Sequence, residues 1–98
     1  MTDEKIRSKL RTNIFSDIFN ERQKQIMKWG YQRLSPLEFS PILGEEVGEV
    51  MKEIVEYQFM KKPLDNYRLE LIQVAAVCLQ MIEEYDFSKL NVDGRNEL

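Results

Sequence analysis

The stretch from Leu69 to Ile82 reads Leu-Glu-Leu-Ile-Gln-Val-Ala-Ala-Val-Cys-Leu-Gln-Met-Ile, and it constrains the fold more than any other part of this chain. Wound at 3.6 residues per turn, it is apolar nearly all round. A helix of that kind needs cover on more than one side, so it belongs at the centre of a bundle or at a subunit interface. Ala75 and Ala76 permit close approach of a neighbouring helix. Asp65 or Asn66 can cap this helix, and its pattern extends to about Tyr85. Glu70 lies within it, where a carboxylate is costly unless it pairs with Arg or Lys or binds a cation. Cys78, on the same helix, reads as a small buried hydrophobe.

The remaining pattern is also helical. Ile14, Phe15, Ile18, Phe19 and Ile26 recur at helical spacing, and Gly30 can close that helix in a left-handed conformation. Ile6 and Leu10 suggest a separate short helix over about 3–11. Ser35-Pro36-Leu37-Glu38 is a capping box with proline in the first turn. Ser40-Pro41 offers an alternative start, or Pro41 kinks an early turn. The helix then runs to about Tyr57 with Leu43, Val47, Val50 and Ile54 as its apolar stripe. Lys61-Lys62-Pro63 breaks the pattern. No alternating run has strand length. The expected fold class is all-α, an antiparallel helical bundle: two long antiparallel helices with a third packed across them. It forms one domain over 1–98 with its core at about 14–85. The tail 87–98, with Asn91, Asp93, Gly94 and Asn96, reads as poorly ordered. A chain of 98 residues with 43% apolar content supports one modest core. It leaves little room for a closed pocket, and the all-round apolar helix lacks sufficient cover in a monomer. A homo-oligomer follows, a dimer or a tetramer built as a dimer of dimers, with the site near or across the interface.

Composition narrows the chemistry. Histidine is absent and Cys78 is the only cysteine. That removes histidine bases, the usual zinc sites and any disulfide framework. The N-terminus lacks a signal-peptide profile, and no apolar run reaches the roughly 18 residues of a membrane span. The expectation is a cytoplasmic chain with no membrane partner. Net charge is −3, but residues 1–33 carry +4 and residues 34–60 carry −5. The basic segment is too sparse for a nucleic-acid stripe, so no nucleic-acid partner is expected.

Glu45-Glu46-Val47-Gly48-Glu49 is the informative cluster. On a helix, Glu46 and Glu49 are neighbours on one face, and Glu53 and Glu56 continue it. Two readings are open: an acidic face left in water, or a cation site. Glu70 and Gln73 repeat the three-residue step on the apolar helix. In an antiparallel hairpin, facing residues share one index sum. Glu46 with Gln73 and Glu49 with Glu70 have the same sum, so a single register brings all four to one level, with its turn centred between Phe59 and Met60. Oxygen-only donors select Mg²⁺, or Mn²⁺, over zinc and copper. Such sites complete their shell with water and phosphate, which points to phosphoryl or nucleotidyl chemistry. No Walker-type glycine loop is present.

These residues resemble the all-α nucleoside-triphosphate pyrophosphatases, the MazG-like group, and especially its short single-domain members of phages and bacteria. The family's E-E-x-x-E motif is matched by Glu45-Glu46-Val47-Gly48-Glu49, and its E-x-x-D motif by Glu70-Leu71-Ile72-Gln73. The flanks Ile42 to Val50, Glu70 to Val77 and Glu21 to Gly30 are also similar, so the likeness spans about 14–85. It implies Mg²⁺-dependent hydrolysis of a (d)NTP to the monophosphate and pyrophosphate, with Glu46, Glu49 and Glu70 as metal ligands. Gln73 departs from the family's Asp. Its amide oxygen can ligate but is uncharged and a poor base, which makes it a weak fourth ligand. Glu45 or Glu49 would orient or deprotonate the attacking water. The rival reading is a non-catalytic helical interaction module, or a nucleotide sensor, with a degenerate metal site.

Four residues are candidates for contact with the nucleotide. Trp29 offers a stacking surface for a base, or else an anchor in a core or interface. Gln23 could bond a base edge. Lys28 and Arg33 could reach phosphates, or remain solvated surface charges. Lys52 relieves repulsion on the acidic face, and Phe39 and Tyr67 read as packing residues.

Overall fold

A computed structural model describes residues 1–91 and contains three helices: α1 (Asp3–Trp29), α2 (Pro36–Met60) and α3 (Tyr67–Asn91). The protein is all-α, and the three helices pack as a bundle. The apolar helix takes the central place, with α1 and α2 both packed on α3. Among the described residues α1 and α2 do not pack on one another. Ala76 and Val77 of α3 are fully or nearly buried, and Ile72 joins them with Phe39 and Val50 from α2. Phe39 is thus a packing residue, as expected. The α2 stripe is rotated from its expected position. Val50 is buried and Leu43 half-buried, but Val47 and Ile54 face outwards.

Local chemistry explains the helix ends. The Ser35 hydroxyl accepts from the Glu38 N–H at 3.2 Å, and the Glu38 carboxylate accepts from the Ser35 N–H at 2.9 Å, which completes the capping box. Donation to the Glu38 carboxylate from the Ser35 backbone N–H, and then from the Ser35 hydroxyl, holds that carboxyl below the usual carboxylate range. Pro41 sits inside α2 rather than starting it. The Leu37 carbonyl that it deprives of a donor lies in an exposed turn, where water can serve. Gly30 closes α1 at φ 71°, its N–H donating to the Ile26 carbonyl at 2.7 Å. Lys61 ends α2 in the left-handed region at φ 54° without being glycine.

Three expectations need correction. The separate short helix at about 3–11 does not exist; it is the first part of α1, because no proline or glycine interrupts the chain before Gly30. The turn expected at Phe59 and Met60 lies later, since α2 runs on to Met60 and the link is 61–66. The segment 87–91, expected in the tail, continues α3. The remainder of that tail, 92–98, lies outside the described residues. No helix among the described residues is long and apolar enough to cross a membrane.

The antiparallel relation of α2 and α3 holds. Ser35, Pro36 and Phe39 at the start of α2 share a cleft with Ile82, Tyr85 and Ser88 at the end of α3. Two ion pairs tie α1 to α3: Asp17 accepts from Arg68 at 2.7 Å, and Glu83 accepts from Arg22 at 3.1 Å. Before Asp17, every residue of α1 is exposed.

Candidate metal and nucleotide site

The acidic motifs come to one neighbourhood. Glu45, Glu46, Glu49 and Glu53 project from α2, and Glu70 from the first turn of α3. Glu46 and Glu70 are half-buried, whereas Glu45 and Glu49 are exposed. Burial raises the Glu46 carboxyl above its ordinary range, and the negative charges of Glu70, Glu45, Glu49 and Glu21 raise it further. Glu70 moves the same way, through burial and then through Glu49 and Glu53. Two facing helices therefore hold like charges close enough to oppose one another's ionisation. None of these carboxylates takes part in an ion pair among the described residues.

Glu21 and Glu53 enlarge the cluster beyond the expected set. Glu53 was legible as a continuation of the acidic face. Glu21 was not, because its place depends on how α1 leans on α3. Gln73 is half-buried on α3, one turn beyond Glu70. The donors are all oxygens and the charge is uncompensated, which suits a hard divalent cation. As they stand, no three acidic or cysteine side chains among the described residues are gathered closely enough to hold one. The set therefore fits such an ion in chemistry and charge, but the side chains are not gathered into a cage.

Of the substrate candidates, Arg33 lies where the start of α2 meets the end of α3, and Gln23, Lys28 and Trp29 lie on α1. An open cleft of about 800 Å³ is lined by Arg33, Phe39, Met81 and Tyr85 among others. Glu46 lies seven residues beyond Phe39 along α2, about 10 Å along the axis. Arg33 also lines a second cleft with Tyr31, Glu83 and Phe87, and its guanidinium stacks 4.9 Å from the Phe87 ring centre. Neither cleft is bordered by Glu46, Glu49 or Glu70. Trp29 is 60% exposed at the end of α1, with the Lys28 ammonium 4.8 Å from its ring centre. It is thus not a core anchor within this subunit. Gln23 is exposed, and Cys78 is half-buried and free.

Sequence reasoning missed one buried charge. Arg22 is 3% exposed, and beyond its bond to Glu83 its Nε and Nη1 have no partner; neither has Gln25 Oε1. Gln80, also buried, donates to Gln32 of the link after α1 at 3.2 Å. The α1–α3 contact thus includes a largely buried ion pair beside the half-buried Ile18 and Ile26. Compared with family models, with curated proteins and with solved structures, the chain matches none.

Proposed function

We propose that this protein is a Mg²⁺-dependent nucleotide pyrophosphohydrolase of MazG-like type, converting a (d)NTP to the (d)NMP and pyrophosphate. One observation carries the reading: α2 and α3 bring Glu46 and Glu70 into one acidic neighbourhood, half-buried, raised by burial and by surrounding carboxylates, and with no ion-pair partner among the described residues. Unrelieved repulsion destabilises a fold, and a divalent ion would reverse its sign. Glu46, Glu49 and Glu70 would hold the ion, with the Gln73 amide oxygen beside them. Mg²⁺, or Mn²⁺ in its place, supplies charge screening of the phosphates and an acidified water. Glu45 or Glu49 takes the proton of the attacking water. The new bond forms at the α-phosphorus, the bond from that phosphorus to the α–β bridging oxygen breaks, and pyrophosphate leaves. Arg33, Lys28, Trp29 and Gln23 are the groups for the rest of the nucleotide, and of these Arg33 borders a cleft. The protein acts as a homo-oligomer, and a cytoplasmic setting suits its substrate.

A second reading, a helical interaction module or nucleotide sensor with a degenerate metal site, is favoured by Gln73 and by the ungathered carboxylates. Incubation with each canonical nucleotide and Mg²⁺, read by pyrophosphate release and by thermal shift, separates the readings. The hydrolase releases pyrophosphate from at least one nucleotide. A sensor shows the shift without release, and a bare scaffold shows neither.

A further inference from the structure

Two clefts adjoin where the end of α3 meets the start of α2. They hold about 800 and 400 Å³, and Arg33, Glu84 and Phe87 line both. Both volumes suit a small-molecule site.

Aromatic rings gather at this end of the molecule. Trp29, Tyr31, Tyr85 and Phe87 are each 40–67% exposed. A cation lies over three of them: Lys28 is 4.8 Å from the Trp29 ring centre, Arg33 4.9 Å from Phe87 and Lys89 5.2 Å from Tyr85. None of these cations takes part in an ion pair among the described residues. A guanidinium held against one ring can take a second ring on its other face and an anion at its edge.

The carboxylates of the clefts divide into engaged and unengaged. Glu38 accepts from the Ser35 N–H, and Glu83 accepts from Arg22. Glu84 is half-buried and pairs with neither Arg33 nor any other cation among the described residues. Opposite charges therefore line the same two clefts without neutralising each other. The complementary ligand is planar, carries an anion for Arg33 and offers an N–H for Glu84. A nucleotide whose base bears an exocyclic amine has those three properties. Arg33 is the one cation lining either cleft, which suits a single phosphate.

Distance separates these clefts from the acidic neighbourhood. Glu84 lies fourteen residues beyond Glu70 on α3, about 21 Å along the axis. The base of a nucleotide whose α-phosphorus lay at Glu46 and Glu70 would not reach it.

We propose that the double cleft is a second nucleotide site, which takes a free nucleoside monophosphate with an amino-bearing base. The base enters the larger cleft beside Tyr85, its amine donates to Glu84, and its phosphate meets Arg33. Arg33 keeps its phosphate role, but for a nucleotide other than the one hydrolysed. The inference does not rest on hydrolysis.

Isothermal titration of the full chain with CMP and with UMP tests it, in EDTA so that no divalent ion loads the acidic neighbourhood. CMP should bind, and UMP should bind about tenfold more weakly, because uracil presents a carbonyl where cytosine presents its amine. Cytidine, without the phosphate, should lose about the same factor, and so should CMP on Arg33→Gln. Glu84→Gln should erase the preference for CMP, since an amide can face either group. Glu46→Gln should leave CMP affinity unchanged. Circular dichroism checks the fold of each variant, and the comparison of CMP, UMP and cytidine on wild type needs no variant. Absence of CMP binding overturns the proposal, as does equal affinity for CMP, UMP and cytidine. Unaltered CMP affinity in a folded Arg33→Gln, or its loss in Glu46→Gln, also overturns it. So does binding of oligo(dC) that tightens with length while CMP does not bind, which would give the surface to a strand. Pyrophosphate release by wild type with Mg²⁺ keeps the two readings apart. CMP binding without release leaves this inference standing and removes the enzyme; release without CMP binding does the reverse.

Discussion

Replacing Glu46 by Gln should stabilise the cation-free protein. The side chain keeps its shape and loses its charge. Beyond its burial, Glu46 feels Glu70 across the helix pair, Glu45 and Glu49 along α2, and Glu21 from α1. Like charges at such spacing cost about 0.2–0.5 kcal/mol each. Four of them give about 1 kcal/mol in favour of Glu46→Gln at neutral pH. For a domain of this size that is a rise in Tm of roughly 4–8 °C. The sign with pH follows from linkage. The folded-state carboxyl is raised, so between the ordinary carboxylate pKa and the folded one the native state holds more protons than the unfolded state. Wild-type stability from this group is therefore present at acid pH and falls as pH rises through that window. The variant lacks that fall, so the two melting curves should converge near pH 4 and separate towards pH 8. Mg²⁺ should invert the order. At ten times its Kd an ion adds about 1.4 kcal/mol to wild type and little to the variant. Thermal melts over a pH series, with and without MgCl₂, provide the measurement. A variant less stable than wild type at pH 8 without Mg²⁺, with the same pH slope, would refute the claim that these carboxylates repel one another.

Two further outcomes follow from particular backbone and side-chain positions. Lys61→Gly should raise stability by about 1 kcal/mol, since a left-handed residue with a side chain costs about 1–2 kcal/mol and the Lys61 backbone lies there; urea denaturation checks it through a higher midpoint at unchanged slope. Replacing Arg22 with Met and Glu83 with Gln together should be neutral or stabilising by about 1 kcal/mol, because two guanidinium nitrogens are buried without partners. A loss of more than about 2 kcal/mol in the same assay would show that those nitrogens are satisfied by ordered water.

Features set by neighbours in the chain were legible in the sequence. Ser35 and Glu38 are three residues apart, and their reciprocal bonds need nothing else. The apolar run on α3 sufficed to place that helix in the middle. That the acids of α2 and α3 come to one neighbourhood was readable from an antiparallel hairpin, but their exact register was not, since the link at 61–66 lies later than the turn that register required. Helix rotation was not fixed in this way, so Val47 and Ile54 were assigned inwards and turn outwards. The separate short helix over about 3–11 was inferred from Ile6 and Leu10, but no residue after it stops a helix before Gly30. Arg22 was out of reach, because arginine is rarely buried and its partner Glu83 lies 61 positions away. Glu21 joined the acidic group for a similar reason: tertiary lean, not spacing, brings it there.

The middle helix has a consequence for how this molecule responds to strain. Among the described residues α1 and α2 pack only on α3, and the short link at 30–35 is what else joins them. Any twist of α3 re-aims Glu70 against the α2 acids and, in the same movement, tugs on Asp17 and Arg22 of α1. The acid-bearing helix is at once the gripping element and the spine, so substitutions chosen only to tighten its packing will also retune the charges it carries.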